Sequence, residues 1–106
     1  MDNILTTLEQ ILEQRKSAPA DSSYVSSLYN KGTDQILKKI AEESAEVIMA
    51  TKEGETDKII YEVADLWFHT MILLRHQNIA FCDIEKELMR RYGVSGLIEK
   101  LNRKVK

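Results

Sequence analysis

The sequence predicts an all-α fold, a helical bundle built on a long antiparallel helix hairpin in a single domain spanning residues 1–106. Three observations predict it. Proline occurs only at Pro19, and glycine only at Gly32, Gly54, Gly93 and Gly96, so helix breakers sit at a few well-separated points. Helix formers fill the intervals, with apolar residues recurring at spacings of three and four. No segment alternates with period two over a useful length.

The elements follow in order. The first helix is expected from about Asn3 to Lys16, with Ile4, Leu5, Leu8, Ile11 and Leu12 on one face. A loop around Pro19 leads to Asp21-Ser22-Ser23, which can cap a short helix reaching Tyr29, with Tyr24, Val25, Leu28 and Tyr29 as its apolar face. Gly32 closes that helix, and Thr33 or Asp34 caps the next. A third helix, about Asp34 to Glu53, ends at Gly54, and a fourth runs from near Thr56 to about Asn78. The turn between them, Gly54-Glu55, is short enough to force an antiparallel hairpin. Asp83 is expected to cap a fifth helix that reaches Tyr92 and closes at Gly93. A last short helix, about Ser95 to Arg103, leads into a basic tail.

Composition excludes several function classes. A formal net charge of -2 provides no strong field for nucleic acid or an anionic membrane. The basic residues Arg90, Arg91, Arg103, Lys104 and Lys106 lack the interleaved aromatics of a nucleic-acid module. The single cysteine, Cys82, excludes an internal disulfide framework and a multi-cysteine zinc site, fits a reducing compartment, and reads as a small half-buried side chain near a helix start. The N-terminus lacks the pattern of a signal peptide. The longest apolar run, Val63 to Leu74, is broken by Asp65 and His69 and is shorter than the roughly 20 residues a membrane span needs. A soluble, cytoplasmic protein is expected.

Two acidic pairs carry the chemistry. Glu43 and Glu46 share a stripe of the third helix with Lys39, bordering the core face of Ile36, Ile40 and Val47, with Glu42 on its flank. On the fourth helix, Lys58, Glu62, Asp65 and His69 share one face at spacings of four, three and four, while every other direction is apolar. A helix apolar all round is normally buried all round, which makes this one the centre of a bundle or a subunit interface. The hairpin sets Glu43 and Glu46 against Glu62 and Asp65. Four facing carboxylates repel one another unless a cation compensates them, and an all-oxygen site suits Mg²⁺, which keeps open positions for substrate phosphates. Lys39 with Glu43 also reads as an ordinary ion pair of a solvated helix face. His69 reads equally as a core-edge histidine or as a residue supporting the site. Trp67, Phe68 and the run from Met71 to Leu74 read as core and interface.

The order Glu-x-x-Glu, hairpin, Glu-x-x-Asp resembles the MazG-like superfamily of all-α nucleoside triphosphate pyrophosphohydrolases. Within it the chain is similar to the phosphoribosyl-ATP pyrophosphohydrolase family of histidine biosynthesis. The matching strings are Ser23-Tyr24-Val25 with Leu28, Lys39-x-x-Glu42-Glu43-x-x-Glu46, and Glu62-x-x-Asp65-Leu66 followed by Phe68-His69 and Leu73-Leu74. They cover about Ile4 to Tyr92. Ser44 stands where many members carry glycine, and Trp67-Phe68 replaces a more familiar Leu/Met-Tyr pair.

The resemblance implies Mg²⁺-dependent hydrolysis of 1-(5-phosphoribosyl)-ATP to 1-(5-phosphoribosyl)-AMP and pyrophosphate by a stand-alone homodimeric enzyme. Glu43, Glu46, Glu62 and Asp65 would hold the metal, and Glu42 would add a ligand or position water. Lys39, His69 and the Ser23-Tyr24 helix start would meet the substrate. A house-cleaning pyrophosphohydrolase of the same fold would use the same metal face on other nucleoside triphosphates. A non-enzymatic helical dimerisation module would explain the apolar fourth helix and leave the aligned acids unexplained.

Overall fold

The computed structural model describes residues 3–92. Among them are five α-helices and no strand: α1 (Ile4–Arg15), α2 (Tyr24–Lys31), α3 (Thr33–Glu53), α4 (Thr56–His76) and α5 (Phe81–Tyr92). The helix expected from Ser95 to Arg103, and the closing role of Gly93, lie outside the described residues.

The hairpin of α3 and α4 dominates the fold. Gly54 ends α3 in the left-handed region (φ 78°), and its N–H donates to the carbonyls of Ala50 (3.2 Å) and Thr51 (3.1 Å). A side chain at that φ would be strained, so glycine here sets the reversal that brings α4 back along α3. α1 packs on α4 and α2 on α3. The core lies where they meet, with Leu12, Val25, Leu28, Ile36, Met71 and Ile72 buried and Leu5, Leu8, Ile40, Phe68 and Phe81 packed around them.

Polar ties fix the small helices. Asn3 caps α1 by accepting from the Leu5 N–H, and Ser23 caps α2 by accepting from the Ser26 N–H at 3.1 Å. The buried Ser26 hydroxyl donates to the Arg15 carbonyl (2.9 Å), and the Tyr29 hydroxyl to that of Leu12 (3.0 Å). These bonds satisfy the C-terminal carbonyls of α1 with side chains of α2. Burial pushes the Tyr29 phenol up to about 12, which keeps it a donor.

Several boundaries differ from expectation. Neither Thr33 nor Asp34 caps α3: Gly32 occupies that position, and the Thr33 hydroxyl lies 3.0 Å from Nε2 of His76. α4 stops at His76, and Asn78 turns to φ 59°. α5 starts at Phe81, two residues before the expected cap Asp83. The Glu9 carboxylate accepts the Phe81 N–H at 2.6 Å, so an acid from α1 does the capping. Cys82 is exposed.

α4 is not buried all round. His69, Met71 and Ile72 are buried, but Ile60 is 62% and Trp67 58% exposed. The helices that pack on the hairpin leave the flank of Ile60 and Trp67 open. Among the described residues no helix is long and apolar enough to cross a membrane.

Candidate active site

α3 presents Lys39, Glu42, Glu43 and Glu46 along one flank, and antiparallel α4 brings Glu62, Asp65 and His69 to the same side. The arrangement follows from 100° per residue: spacings of three and four keep each set on one stripe. The hairpin turn then fixes their register.

Glu43 is the innermost acid, only 6% exposed. Its carboxyl titrates above the usual carboxylate range, first because burial disfavours the charged form and then because it shares a hydrogen bond with Asp65 and is repelled by it. Lys39 opposes that shift from 3.3 Å while also holding Glu42 at 3.4 Å. Glu62 also titrates high, through local desolvation, then Glu46 and Asp65. Its Oε2 is buried without a hydrogen-bond partner among the described residues.

His69, 3% exposed, links this cluster to α2. Its Nδ1 lies 2.8 Å from the Asp65 carbonyl and 3.3 Å from Oδ1 of Asp65. A carbonyl can only accept, so Nδ1 carries the proton, and in the neutral ring Nε2 accepts. The Tyr24 hydroxyl, 2.6 Å from Nε2, is therefore the donor. The Tyr24 and His69 rings also meet edge-on, 5.7 Å apart.

Ligand atoms of Glu43, Asp65 and His69 all lie within 4.8 Å of one another. Both nitrogens of His69 are already engaged, so the oxygens remain as donors to a cation. Raised carboxyl groups and an orphaned buried oxygen are what a hard divalent cation relieves, and an all-oxygen donor set matches Mg²⁺. The residues present therefore fit that ion. Glu46 and Glu62 continue the acidic line into a cleft of about 280 Å³, lined also by Met49, Ala50, Glu53, Lys58 and Tyr61.

Expected site residues thus gather on one flank, with two differences. Ser23 spends its hydroxyl on capping α2, leaving Tyr24 as the α2 side chain that reaches the cluster. Lys58 does not offset Glu62; it pairs across the turn with Glu53 at 2.7 Å and lies 3.9 Å from Glu55. Tyr61 and Met49, which line the cleft, were not singled out in the sequence. The available signal is their place one stripe beyond the acids on each helix.

The family model for phosphoribosyl-ATP pyrophosphohydrolase matches residues 5–92, the stretch that carries every one of these side chains. The chain belongs to that family. Curated relatives described as phosphoribosyl-ATP pyrophosphatase agree. That of Vesicomyosocius okutanii is 74% identical over 103 residues, covering 97% of this chain and 98% of the relative. That of Ruthia magnifica is 70% identical over the same length and coverage. That of Hydrogenovibrio crunogenus is 52% identical over 106 residues, covering 96% of this chain and 94% of the relative. The all-α hairpin expected of this family is the fold observed.

Proposed function

We infer that this chain hydrolyses 1-(5-phosphoribosyl)-ATP to 1-(5-phosphoribosyl)-AMP and pyrophosphate, a step of histidine biosynthesis, with Mg²⁺ bound on the acidic flank. The observation that carries this reading is the acidic line from Glu43 and Asp65 to Glu46 and the orphaned Glu62 oxygen, in a chain matched to the family over residues 5–92.

Glu43, Glu46, Glu62 and Asp65 would hold the ion. When bound it supplies Lewis-acid stabilisation of the negative charge on the triphosphate and a polarised water. The chain's own residues do the rest. His69, held by Tyr24, fixes the Asp65 carboxylate. Lys39 lies beside Glu42 and Glu43, where its ammonium can meet phosphate oxygens as a point charge. The N-terminus of α2 adds unpaired N–H groups at the same end of the flank. Glu42, exposed next to Lys39, would add a further ligand or orient the attacking water. Water oxygen bonds to the α-phosphorus as its proton passes to solvent, the bridge to the β-phosphorus breaks, and pyrophosphate leaves with the shared oxygen.

A homodimer also belongs to this reading. Leu37, Ile48, Ile60 and Trp67 are exposed apolar side chains. By helical angle they lie on the hairpin flank away from the acids. Packing a second copy there would cover them and leave the acidic flank open. The cytoplasm is the compartment that suits a biosynthetic enzyme with an exposed free cysteine.

The test is pyrophosphate release from phosphoribosyl-ATP and from a panel of deoxynucleoside triphosphates, with and without Mg²⁺. Phosphoribosyl-ATP should be the preferred substrate, and Asp65→Ala should abolish turnover while helicity is kept. Near-normal Mg²⁺-dependent release by Asp65→Ala would overturn the site; preference for the deoxynucleotides would overturn the substrate.

A further inference from the structure

The cleft at the hairpin tip begins at two residues of the acidic line, Glu46 and Glu62, and extends past them. Its other walls differ in chemistry. Met49 and Tyr61 present a thioether and an aromatic ring, and Tyr61 is 69% exposed. Glu53 stands at the edge with Lys58 paired to it at 2.7 Å, so that lysine adds little net positive charge. The cleft therefore joins an aromatic face and a thioether to the end of the acidic line.

Its size is informative. About 280 Å³ lies at the lower edge of ligand pockets, too small for a whole nucleotide and enough for one base. Its position sets a polarity. Lys39 and the α2 N-terminus, which suit the leaving pyrophosphate, are at the opposite end of the acidic line. A triphosphate held along that line would direct its nucleoside end toward Tyr61.

Accepting the proposed substrate, two features separate it from ATP at that end: the phosphoribosyl group on N1 and the charge of the ring that carries it. Alkylation at N1 leaves the adenine ring system a cation near neutral pH, whereas the adenine of ATP is neutral. A cation is drawn to a tyrosine face and to carboxylates; a neutral base gains only the stacking. We propose that the Met49–Tyr61 cleft binds the cationic N1-substituted adenine ring and is the specificity determinant against ATP. Tyr61 supplies the ring face and Met49 an apolar wall, while pairing with Glu53 keeps the Lys58 cation from standing free beside the ring. The requirement rests on the ring face and not on the phenol oxygen, so phenylalanine should serve in place of tyrosine.

Calorimetry with 1-methyl-AMP and AMP in Mg²⁺ reads this directly, without turnover. Wild type should bind 1-methyl-AMP about 5- to 30-fold more tightly than AMP, the range of one partly desolvated cation–π contact. Tyr61→Phe should keep that ratio; Tyr61→Leu should bring it near one and raise KM for phosphoribosyl-ATP by a similar factor, with little change in kcat. Glu53→Gln, a second and isosteric variant, leaves the Lys58 cation without its 2.7 Å partner at the cleft and should lower the ratio without removing the ring. Equal binding of the two nucleotides by wild type, or an unchanged ratio in Tyr61→Leu, would overturn the assignment of the cleft even with phosphoribosyl-ATP hydrolysis intact. Failure of wild type to release pyrophosphate from phosphoribosyl-ATP would instead overturn the substrate reading on which it rests.

Discussion

Tyr24→Phe removes a single oxygen from the contact that ties α2 to the acidic face. The ring-edge contact with His69 is preserved, so the change isolates the 2.6 Å hydrogen bond to Nε2. The histidine is almost fully buried, and Nε2 loses the partner it has. Leaving a buried acceptor unsatisfied costs about 1–3 kcal/mol. Tyr24 itself is half exposed, so water can partly replace the hydroxyl, and the expected cost falls near the lower bound, about 1 kcal/mol. In a domain of this size that lowers the melting temperature by roughly 4–8 °C. A second effect follows through His69, whose Nδ1 steadies Asp65. Losing the direct partner of a metal ligand typically weakens metal affinity 10- to 100-fold; Tyr24 acts one contact further out, through His69, so a loss of up to about tenfold is expected for Mg²⁺ here. Thermal melts with and without Mg²⁺, plus a Mg²⁺ titration, measure both effects. A melting temperature within about 1 °C of wild type, together with unchanged Mg²⁺ affinity, would refute the chain of contacts from Tyr24 to Asp65.

Other perturbations test separate parts of the structure. Glu43 titrates high in the folded metal-free protein, so its contribution to stability is present below the ordinary carboxylate range and is lost as pH rises through its folded pKa. Glu43→Gln should therefore melt above the wild type at neutral pH without metal, with the gap shrinking toward acid; a pH-independent gap would contradict the shift. Gly54→Ala meets no atom within 4 Å but must hold φ 78°, so it should cost about 1–2 kcal/mol by denaturant melt, from backbone strain alone. Trp67→Glu should abolish self-association in sedimentation runs without unfolding the monomer. A dimer that survives it would place the interface elsewhere.

Much of the fold was legible because its determinants are local. Gly54 and the absence of other breakers from Thr33 to His76 define the hairpin, and spacings of three and four define its acidic stripe. The Ser23 cap was legible for the same reason. What escaped depends on residues far apart in sequence. The start of α5 is set by Glu9, an acid from α1 that accepts the Phe81 N–H, and no local pattern around Asp83 reveals it. Helical spacing puts Lys58 on one face with Glu62 and Asp65, but the turn brings Glu53 to it at 2.7 Å. The Tyr24 to His69 bond spans two helices and gives His69 a tautomer, which sequence spacing cannot supply. The apolar character of α4 was legible, yet only the packing of α1 and α2 on the hairpin shows that His69, Met71 and Ile72 are buried while Ile60 and Trp67 stay exposed.

The acidic flank as a Mg²⁺ site is most directly tested by melting wild type, Glu62→Gln and Asp65→Asn across a millimolar Mg²⁺ series. A ligand that binds only the folded state must stabilise it, by RT ln(1 + [L]/Kd). Wild type should rise in melting temperature with Mg²⁺. Both variants should start at or above the metal-free wild type, since each removes a repelling charge, and should then gain little. Wild type indifferent to Mg²⁺, or Asp65→Asn stabilised by it as fully as wild type, would contradict a metal site built from these carboxylates.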